Sequence, residues 1–225
     1  MFLKDLLFPK FCLSCNKIGT YLCPKCQNKL EYFAYDTCLY CGKKSLYGVT
    51  HPGCQQKFGI DGFLTVFKYN ETLKRIIKAF KYRRALAVWE EFSLLIKPNK
   101  LIKLNNWPKA NFIQPIPLHT NKLKDRGFNQ AEIITNYFNG YLRLEIGNVL
   151  LRKKETKPQA QITTKRKRRL NISGAFTINK KINIKNTIII LVDDLLTTGD
   201  TIKEAGKVLK KNGALLVFAL TLARG

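Results

Sequence analysis

The placement of the cysteines is the feature that most constrains this chain. All seven lie in the first quarter of the 225 residues, and six of them form three C-x2-C pairs. A C-x2-C pair places two thiolates on one tight turn, and two such turns complete a tetrahedral four-thiolate zinc site. Disulfides would require an oxidising compartment, and seven is an odd number. A thioredoxin-like redox pair would need a surrounding βαβ pattern, which this segment lacks. The cysteines therefore predict structural zinc.

The unpaired cysteine has a histidine at the right spacing. His51 precedes Cys54 as the first member of a fourth C-x2-C pair would, so seven thiols and one imidazole supply ligands for two zinc ions. Sequential pairing predicts two sets, namely Cys12, Cys15, Cys23 and Cys26 for the first and Cys38, Cys41, His51 and Cys54 for the second. The spacing also allows an interleaved pairing, and a solvated loop histidine is the alternative for His51. Closed ligand sets of this kind are structural, and the metal supplies folding energy.

Charge is the second constraint. The chain carries 40 Lys and Arg against 15 Asp and Glu, a formal net charge of +25. Such an excess attracts polyanions, namely nucleic acid, an anionic membrane surface or phosphorylated small molecules. The apolar run 188–192 is far shorter than the roughly 20 residues of a membrane span. The first nine residues contain Asp5 and lack a small-residue cleavage site. We therefore expect no membrane span and a cytoplasmic protein with reduced thiols.

Strands and helices alternate after the cysteines. The predicted strands are 63–69, 111–115, 149–152, 175–178, 187–194 and 215–222. The predicted helices are 71–80, 85–96, 129–141 and 200–212, with 97–108 as a polar loop. Such alternation, with some strands apolar throughout, predicts an α/β fold with a mostly parallel sheet covered on both faces. We expect two domains, a module of 1–58 similar to a double zinc ribbon and a main domain of 59–225.

The segment that carries the chemistry follows an apolar strand. Asp193 and Asp194 end the run 188–192, and the turn 195–201, which is rich in threonine and contains Gly199, opens a helix. Ligands of open α/β sheets bind at the carboxyl ends of strands, and the N–H groups of such a turn bind anions. Two carboxylates beside a phosphate site would repel the phosphate unless they bind another group. Sugar hydroxyls, which donate hydrogen bonds to carboxylates, are such a group. The segment therefore predicts a phosphorylated sugar as ligand. A Walker B strand is the alternative, but the chain has no G-x4-G-K-[ST] motif.

This stretch resembles the signature of type I phosphoribosyltransferases, which bind 5-phosphoribosyl-1-pyrophosphate (PRPP). The segments 115–131 and 150–176, together with the cysteine module, extend the resemblance over essentially the whole chain to the ComF family of competence-associated, phosphoribosyltransferase-like proteins. One departure is the His51-x2-Cys54 pair, where that family is expected to carry C-x2-C.

The resemblance implies a phosphosugar site. Two acids would hold the ribose hydroxyls, the following turn would wrap the 5′-phosphate, and a backbone turn with a nearby arginine would face the pyrophosphate and its Mg²⁺. For His119, a turn residue that points to solvent is the alternative. The implied PRPP-binding residues are Asp193, Asp194, Leu195, Leu196, Thr197, Thr198, Gly199, Thr201, His119 and Arg126.

Two basic segments exceed the needs of one pyrophosphate. Segment 152–169 has nine basic residues against one acid, and the resemblance implies that 153–170 is a lid over bound ligand, with Arg168 facing the pyrophosphate. Segment 74–84 interleaves cations with aromatic rings, which suits single-stranded nucleic acid. A merely solvated basic surface is the alternative for the rest of the excess. The predicted DNA contacts are Lys165, Arg166, Lys167, Arg168, Arg169, Lys81, Arg83 and Arg84.

Two functions of different classes follow. The first, which the resemblance implies, is a ComF-like competence protein that binds a PRPP-type ligand and handles single-stranded DNA in natural transformation. Proteins of the DNA-uptake machinery would be its further partners. The alternative is an active phosphoribosyltransferase that joins ribose 5-phosphate to a base or amine in salvage. No side chain is a candidate nucleophile. A zinc-ribbon regulator of nucleic acid is a third hypothesis.

Overall fold

Helices and strands alternate from residue 62 to the C-terminus. The structure, a computed structural model, describes residues 9–80, 85–97, 99–156, 162 and 164–225. Its strands are β1 (Gly62–Lys68), β2 (Phe112–Pro115), β3 (Glu145–Ile146), β4 (Leu150–Arg152), β5 (Phe176–Ile178), β6 (Ile188–Leu196) and β7 (Leu216–Arg224). Its helices are α1 (Pro24–Gln27), α2 (Glu71–Ala79), α3 (Ala85–Ser93), α4 (Asn99–Ile102), α5 (Thr120–Arg126), α6 (Gln130–Leu142), α7 (Lys165–Ile172) and α8 (Asp200–Lys211). Short 3-10 turns cover Leu46–Gly48, Pro52–Cys54 and Lys103–Asn106.

The main sheet has five strands in the order β1-β7-β6-β2-β3, and all neighbouring pairs are parallel. Strands β4 and β5 form a separate antiparallel pair. The central strand β6 begins with an unbroken apolar run because both of its faces are buried. Ile190 and Val192 pack toward one core, while Ile189 and Leu191 pack toward the other. The predicted mostly parallel α/β sheet is confirmed.

The predicted elements lie within three residues of the observed ones, but the prediction of a loop at 97–108 was wrong. Helix α4 and a 3-10 turn occupy this segment. Leu101, Leu104 and Trp107 recur every three residues and are buried, and the Trp107 indole N–H donates to the carbonyl of Tyr47 at 2.9 Å. Apolar side chains at this spacing turn a polar-looking segment into a short helical one. Strand β3 and helices α1, α5 and α7 were also not predicted.

The cysteine-rich module packs against β1, an edge strand of the main sheet. Tyr32 forms an antiparallel bridge with Phe67, and the N–H of Lys68 donates to the carbonyl of Glu31 at 2.8 Å. Apolar residues of the module share one buried core with β1 and with α2, α3 and α6. The module therefore covers an edge that would otherwise present unpaired backbone groups.

Glu91 on α3 joins the module to the main domain. Its carboxylate accepts hydrogen bonds from the N–H groups of Tyr21 at 3.1 Å and Leu22 at 2.9 Å, and from the hydroxyl of Thr20. One acid thus satisfies three donors of a turn some 70 residues earlier in the chain.

A membrane-spanning segment was not expected. None of the helices in the described ranges combines the length and apolarity that crossing a bilayer requires.

We expect Glu91→Ala to lower the free energy of unfolding by about 2 kcal/mol, because three buried or half-buried donors lose a charged acceptor. Urea denaturation of the zinc-loaded protein measures this change. Glu90→Ala, at the exposed neighbouring position, is the matched control and should change the free energy by less than about 0.5 kcal/mol. Equal effects of the two substitutions would contradict the bridging role of Glu91.

Candidate functional site

A cavity of about 550 Å³ opens at the carboxyl end of the parallel sheet, where open α/β folds bind ligands. The end of β6, the start of α8, the segment between β2 and α6, helix α2 and the end of β4 contribute to its wall. The structure brings most of the predicted ligand residues to this cavity, namely Asp193, Asp194, Leu195, Leu196, Thr197, Thr198, Gly199, Thr201 and Arg126. Their contact with a ligand stays a prediction.

Two carboxyl groups share the end of β6. The N–H of Asp194 donates to Oδ1 of Asp193 at 2.9 Å. Burial and the neighbouring charge of Asp194 raise the pKa of Asp193 well above its ordinary value, and the guanidinium of Arg152 only partly opposes this shift. The raised pKa means that holding the charge of Asp193 in this site costs stability.

The turn between β6 and α8, residues 197–199, has the backbone geometry of an anion site. Gly199 adopts the left-handed conformation, with φ of 75°, and precedes α8 without a side-chain cap. The hydroxyl of Thr198 donates to Asp200 at 2.6 Å, and Nζ of Lys203 donates to the carbonyl of Thr198 at 3.3 Å. The first turn of α8 therefore presents its positive dipole end to the cavity.

The segment Arg-Gly-Phe-Asn-Gln at 126–130 contributes another part of the cavity wall. Gly127, with φ of 79°, ends α5 in the left-handed conformation. Asn129 accepts from the N–H of Ala131 and donates to the carbonyl of Ile116 at 3.1 Å, so it caps α6 and ties it to the end of β2. Arg126 reaches the cavity while Nη1 donates to Oε1 of Gln130 at 2.9 Å. Each polar residue of the motif therefore has a local structural partner.

His119 lies apart from the other predicted ligand residues. Its Nδ1 accepts from the N–H of Asn121 at 3.3 Å and caps α5, with Oε2 of Glu155 at 3.7 Å. Among the described residues it is not one that lines the cavity, whereas its neighbour Leu118 is. A ligand role for His119 stays a prediction, and its observed role is that of a helix cap.

Arg152 is a site residue that the sequence analysis missed. It ends β4 and lines the cavity, and its Nη1 donates to the carbonyl of Pro117 at 3.4 Å. Its guanidinium lies 5.4 Å from the ring centroid of Phe176, and burial lowers its pKa. The buried Nε has no hydrogen-bond partner among the described residues. Its place at the start of the basic segment 152–169 was the available signal, but the sequence does not show which cations of that segment face the cavity.

Part of the expected lid is helical. Helix α7 begins at Lys165, and Arg168 lines the cavity while its Nε donates to the carbonyl of Ile162 at 2.7 Å. Nε of Arg169 lies 3.6 Å from Oδ1 of Asp200, whereas Arg166 and Lys167 are exposed. The side chain of Lys165 lies outside the described structure, as do the following residues of the predicted lid and DNA-contact set: residues 157–161 and 163, Lys81, Arg83 and Arg84.

The predicted metal ligands form the two sequential clusters rather than interleaved ones. Within each cluster the ligand atoms lie within 4.8 Å of one another, and the sets are Cys12, Cys15, Cys23 and Cys26, and Cys38, Cys41, His51 and Cys54. Sγ atoms of Cys15 and Cys23 are 3.6 Å apart, near the roughly 3.8 Å expected for two thiolates bound tetrahedrally to zinc. Nδ1 of His51 lies 3.3 Å from Sγ of Cys41, while its Nε2 lies 3.0 Å from the carbonyl of Lys44. A second ring nitrogen held by a carbonyl is typical of a zinc-binding histidine.

Two thiols of the first cluster have pKa values shifted in opposite directions. Burial opposes ionisation of Cys12, but hydrogen bonds from backbone amides outweigh it and lower its pKa to about 6. The hydrogen bond with Ser14 lowers the pKa of Cys26, yet burial and the neighbouring thiols outweigh it and raise the pKa to about 11. A zinc ion bound between the four sulfur atoms would favour their thiolate forms.

Comparison with known proteins gives one domain match in the cysteine-rich segment and another in the C-terminal part of the chain. The double zinc ribbon domain matches residues 3–56, and the phosphoribosyl transferase domain matches residues 123–225. Competence protein F of Haemophilus influenzae is 29% identical over 211 residues, 90% of this chain and 90% of that protein. Competence protein ComFC of Streptococcus pneumoniae is 27% identical over 206 residues, 90% of this chain and 87% of that protein. DNA utilization protein YhgH of Escherichia coli K12 is 24% identical over 163 residues, 72% and 71% of the respective chains.

We expect the purified chain to contain about two zinc ions, and His51→Ala to reduce the content to about one, because three thiolates leave one tetrahedral position without a protein ligand. Elemental analysis measures zinc per chain. His119→Ala, which removes the only other histidine, is the control and should retain both ions. Unchanged zinc content in His51→Ala would contradict the second cluster.

Proposed function

We propose that this chain, which is a homologue of the ComF/ComFC competence proteins, binds a PRPP-type phosphosugar in its cavity and handles single-stranded DNA in natural transformation. One observation carries the first part, namely that a single cavity contains two adjacent carboxyl groups and a glycine-bearing helix start. The names of the relatives, competence proteins and DNA utilization proteins, support the setting.

The chemistry of the cavity matches the parts of PRPP. Asp193 and Asp194 are acceptors for ribose hydroxyls, and the turn 197–199 with the first turn of α8 provides donors for the 5′-phosphate. Arg126 and Arg152 place positive charge elsewhere in the cavity wall, where the pyrophosphate would lie. Mg²⁺ would neutralise that pyrophosphate, and the described cavity offers carboxylate oxygens from aspartates alone.

A DNA surface next to this cavity is supported by α7. Arg166 and Lys167 are exposed on this helix, and Arg169 keeps 74% of its side chain exposed, while Arg168 of the same helix lines the cavity. Cations in this arrangement neutralise backbone phosphates of a single strand. A phosphosugar and a DNA strand would therefore bind at adjoining sites. We place the encounter in the cytoplasm, with proteins of the DNA-uptake machinery as further partners.

A phosphoribosyl transfer activity is the second candidate. Tyr69 and Ile77 give the cavity an aromatic and an aliphatic wall against which a base could pack. Release of pyrophosphate from PRPP and Mg²⁺ in the presence of purines, pyrimidines and amines measures this activity. Binding of PRPP without release in any mixture would leave a binding role only.

We expect Asp193→Asn to raise the melting temperature at neutral pH and to weaken PRPP binding at least about tenfold. The pKa of Asp193 is raised on folding, so the unfolded chain releases this proton at lower pH than the folded one. Its contribution to stability therefore falls as the pH rises above the ordinary aspartate pKa, and an amide removes that penalty. The amide is also a poorer acceptor for sugar hydroxyls than a carboxylate.

Thermal unfolding between about pH 5 and pH 8 and calorimetric titration with PRPP and Mg²⁺ test both halves of this expectation. Asp125→Asn, an exposed acid on α5, is the control and should leave both quantities unchanged. PRPP affinity equal to that of the unmodified protein would contradict the assigned role of Asp193.

We expect the double substitution Arg166→Glu with Lys167→Glu to weaken binding of an oligo-dT strand at least about tenfold, and to reduce the slope of log K against log salt by about 1.4, or about 0.7 per lost phosphate contact. Fluorescence anisotropy over a salt series gives both numbers. Lys180→Glu with Lys181→Glu changes the net charge equally at exposed positions outside α7 and is the matched control. Equal losses of affinity in the two variants would show that the effect depends on net charge and not on the position of these cations on α7.

A further inference from the structure

The second metal cluster lies next to the turn that would bind phosphate. Leu39, which follows the ligand Cys38, is 5% exposed and shares a buried core with Leu196 and Ile202. A Cβ placed on Gly199 would lie 3.5 Å from Cδ1 of Leu39 and 3.7 Å from Cδ1 of Leu196. The side chain of Leu39 therefore packs against the backbone of the turn 197–199 from the side of the buried core.

Tyr40, the second residue between Cys38 and Cys41, makes an indirect contact with the same turn. Its hydroxyl accepts from the N–H of Ile60 at 2.8 Å, which holds the ring in place. Nζ of Lys203 lies 5.4 Å from the centroid of that ring and donates to the carbonyl of Thr198 at 3.3 Å. Lys203 thus links the aromatic ring to the peptide before Gly199.

The residue before the cluster is joined to the end of β6. The guanidinium of Arg224 donates to the hydroxyl of Thr37, and the N–H of Gly225 donates to the carbonyl of Leu196 at 3.0 Å. Residues 37–40 therefore contact the cavity wall directly through Leu39. They are also joined to it indirectly, through Lys203 and through residues 224–225.

The first cluster packs in a different place. Nη1 of Arg75 on α2 donates to the carbonyl of Ser14 at 2.5 Å, and Glu91 on α3 accepts from the turn 20–22. Leu13, which follows the ligand Cys12 as Leu39 follows Cys38, packs against the other core of the domain. Two turns of the same C-L-x-C sequence thus support different parts of the molecule.

We propose that Leu39 and Tyr40 are positioning residues for phosphate binding, and that metal in the second cluster and a phosphosugar in the cavity stabilise each other. This inference rests on the proposed phosphosugar site. Metal holds the 38–41 turn rigid, that turn fixes the backbone around Gly199, and a phosphate on that backbone favours the same arrangement. Because the coupling of binding free energies is reciprocal, the ligand must raise the affinity for the metal by the same factor by which the metal raises the affinity for the ligand.

The first experiment compares two leucines. Leu39→Ala should weaken binding of ribose 5-phosphate at least about fivefold in calorimetric titration, whereas Leu13→Ala should stay within about twofold of the unmodified protein. Both variants remove the same atoms from equivalent positions in the two metal turns. Zinc content and melting temperature are measured alongside, so that a general loss of folding is visible in both.

The second experiment uses the unmodified protein and a chromophoric zinc chelator. In equilibrium competition with the chelator, saturating ribose 5-phosphate should raise the zinc affinity of the second cluster at least about fivefold and leave that of the first cluster within about twofold. His51→Ala identifies the zinc ion that belongs to the second cluster. Leu39→Ala should lose this gain in zinc affinity.

Each result decides the inference. Equal affinity losses in the two leucine variants, or no gain in zinc affinity in the presence of the ligand, would overturn it. If Leu39→Ala does not fold, the zinc affinities of the unmodified protein with and without the ligand decide alone. If the unmodified protein binds neither ribose 5-phosphate nor PRPP, the proposed phosphosugar site itself is overturned. This outcome is distinct from the others because it involves no substitution.

Discussion

Closed metal coordination is the constraint on which the N-terminal quarter of this chain depends. Its described residues form one four-residue helix and two 3-10 turns, and metal bound by the two clusters would supply free energy that offsets the entropy of ordering the rest. Once the clusters hold their turns, the module has a rigid surface that adds a bridge to β1 and inserts Leu22 and Leu30 into the core of the main domain. The module that carries the two clusters therefore covers one edge of the α/β sheet.

The central strand divides the rest of the molecule into two cores that meet at one functional edge. Helices α2, α3 and α6 cover one face, and α8 with residues of the second metal turn covers the other. At the carboxyl end of β6 the apolar packing ends and polar groups line the cavity. There the pKa of Asp193 is raised, and Arg152 lies close enough to affect it. Such half-compensated charges cost stability, and a ligand that bonds to them recovers part of that cost.

Local patterns predicted most of the elements because each carries its own signal. The apolar run of β6 and the Asn70 cap of α2, whose side chain accepts from the N–H of Leu73, are visible in sequence. Contacts between distant residues are not. Glu91 depends on a turn some 70 residues away, and the inward position of Arg152 depends on packing against Phe176. His119 illustrates the same limit, since the resemblance placed it with the ligand residues while its nearest partner is the N–H two residues on.

The pairing of β1 with β7 has a consequence for the order in which the chain assembles. Residues 62–68 lie beside residues 216–224, so β1 is synthesised about 150 residues before its parallel neighbour β7. During that interval the module shields the opposite edge of β1 through the bridge between Tyr32 and Phe67. Only one edge of β1 then remains unpaired and able to pair with another nascent chain. Such mispairing is a known risk in sheets whose neighbouring strands are far apart in sequence.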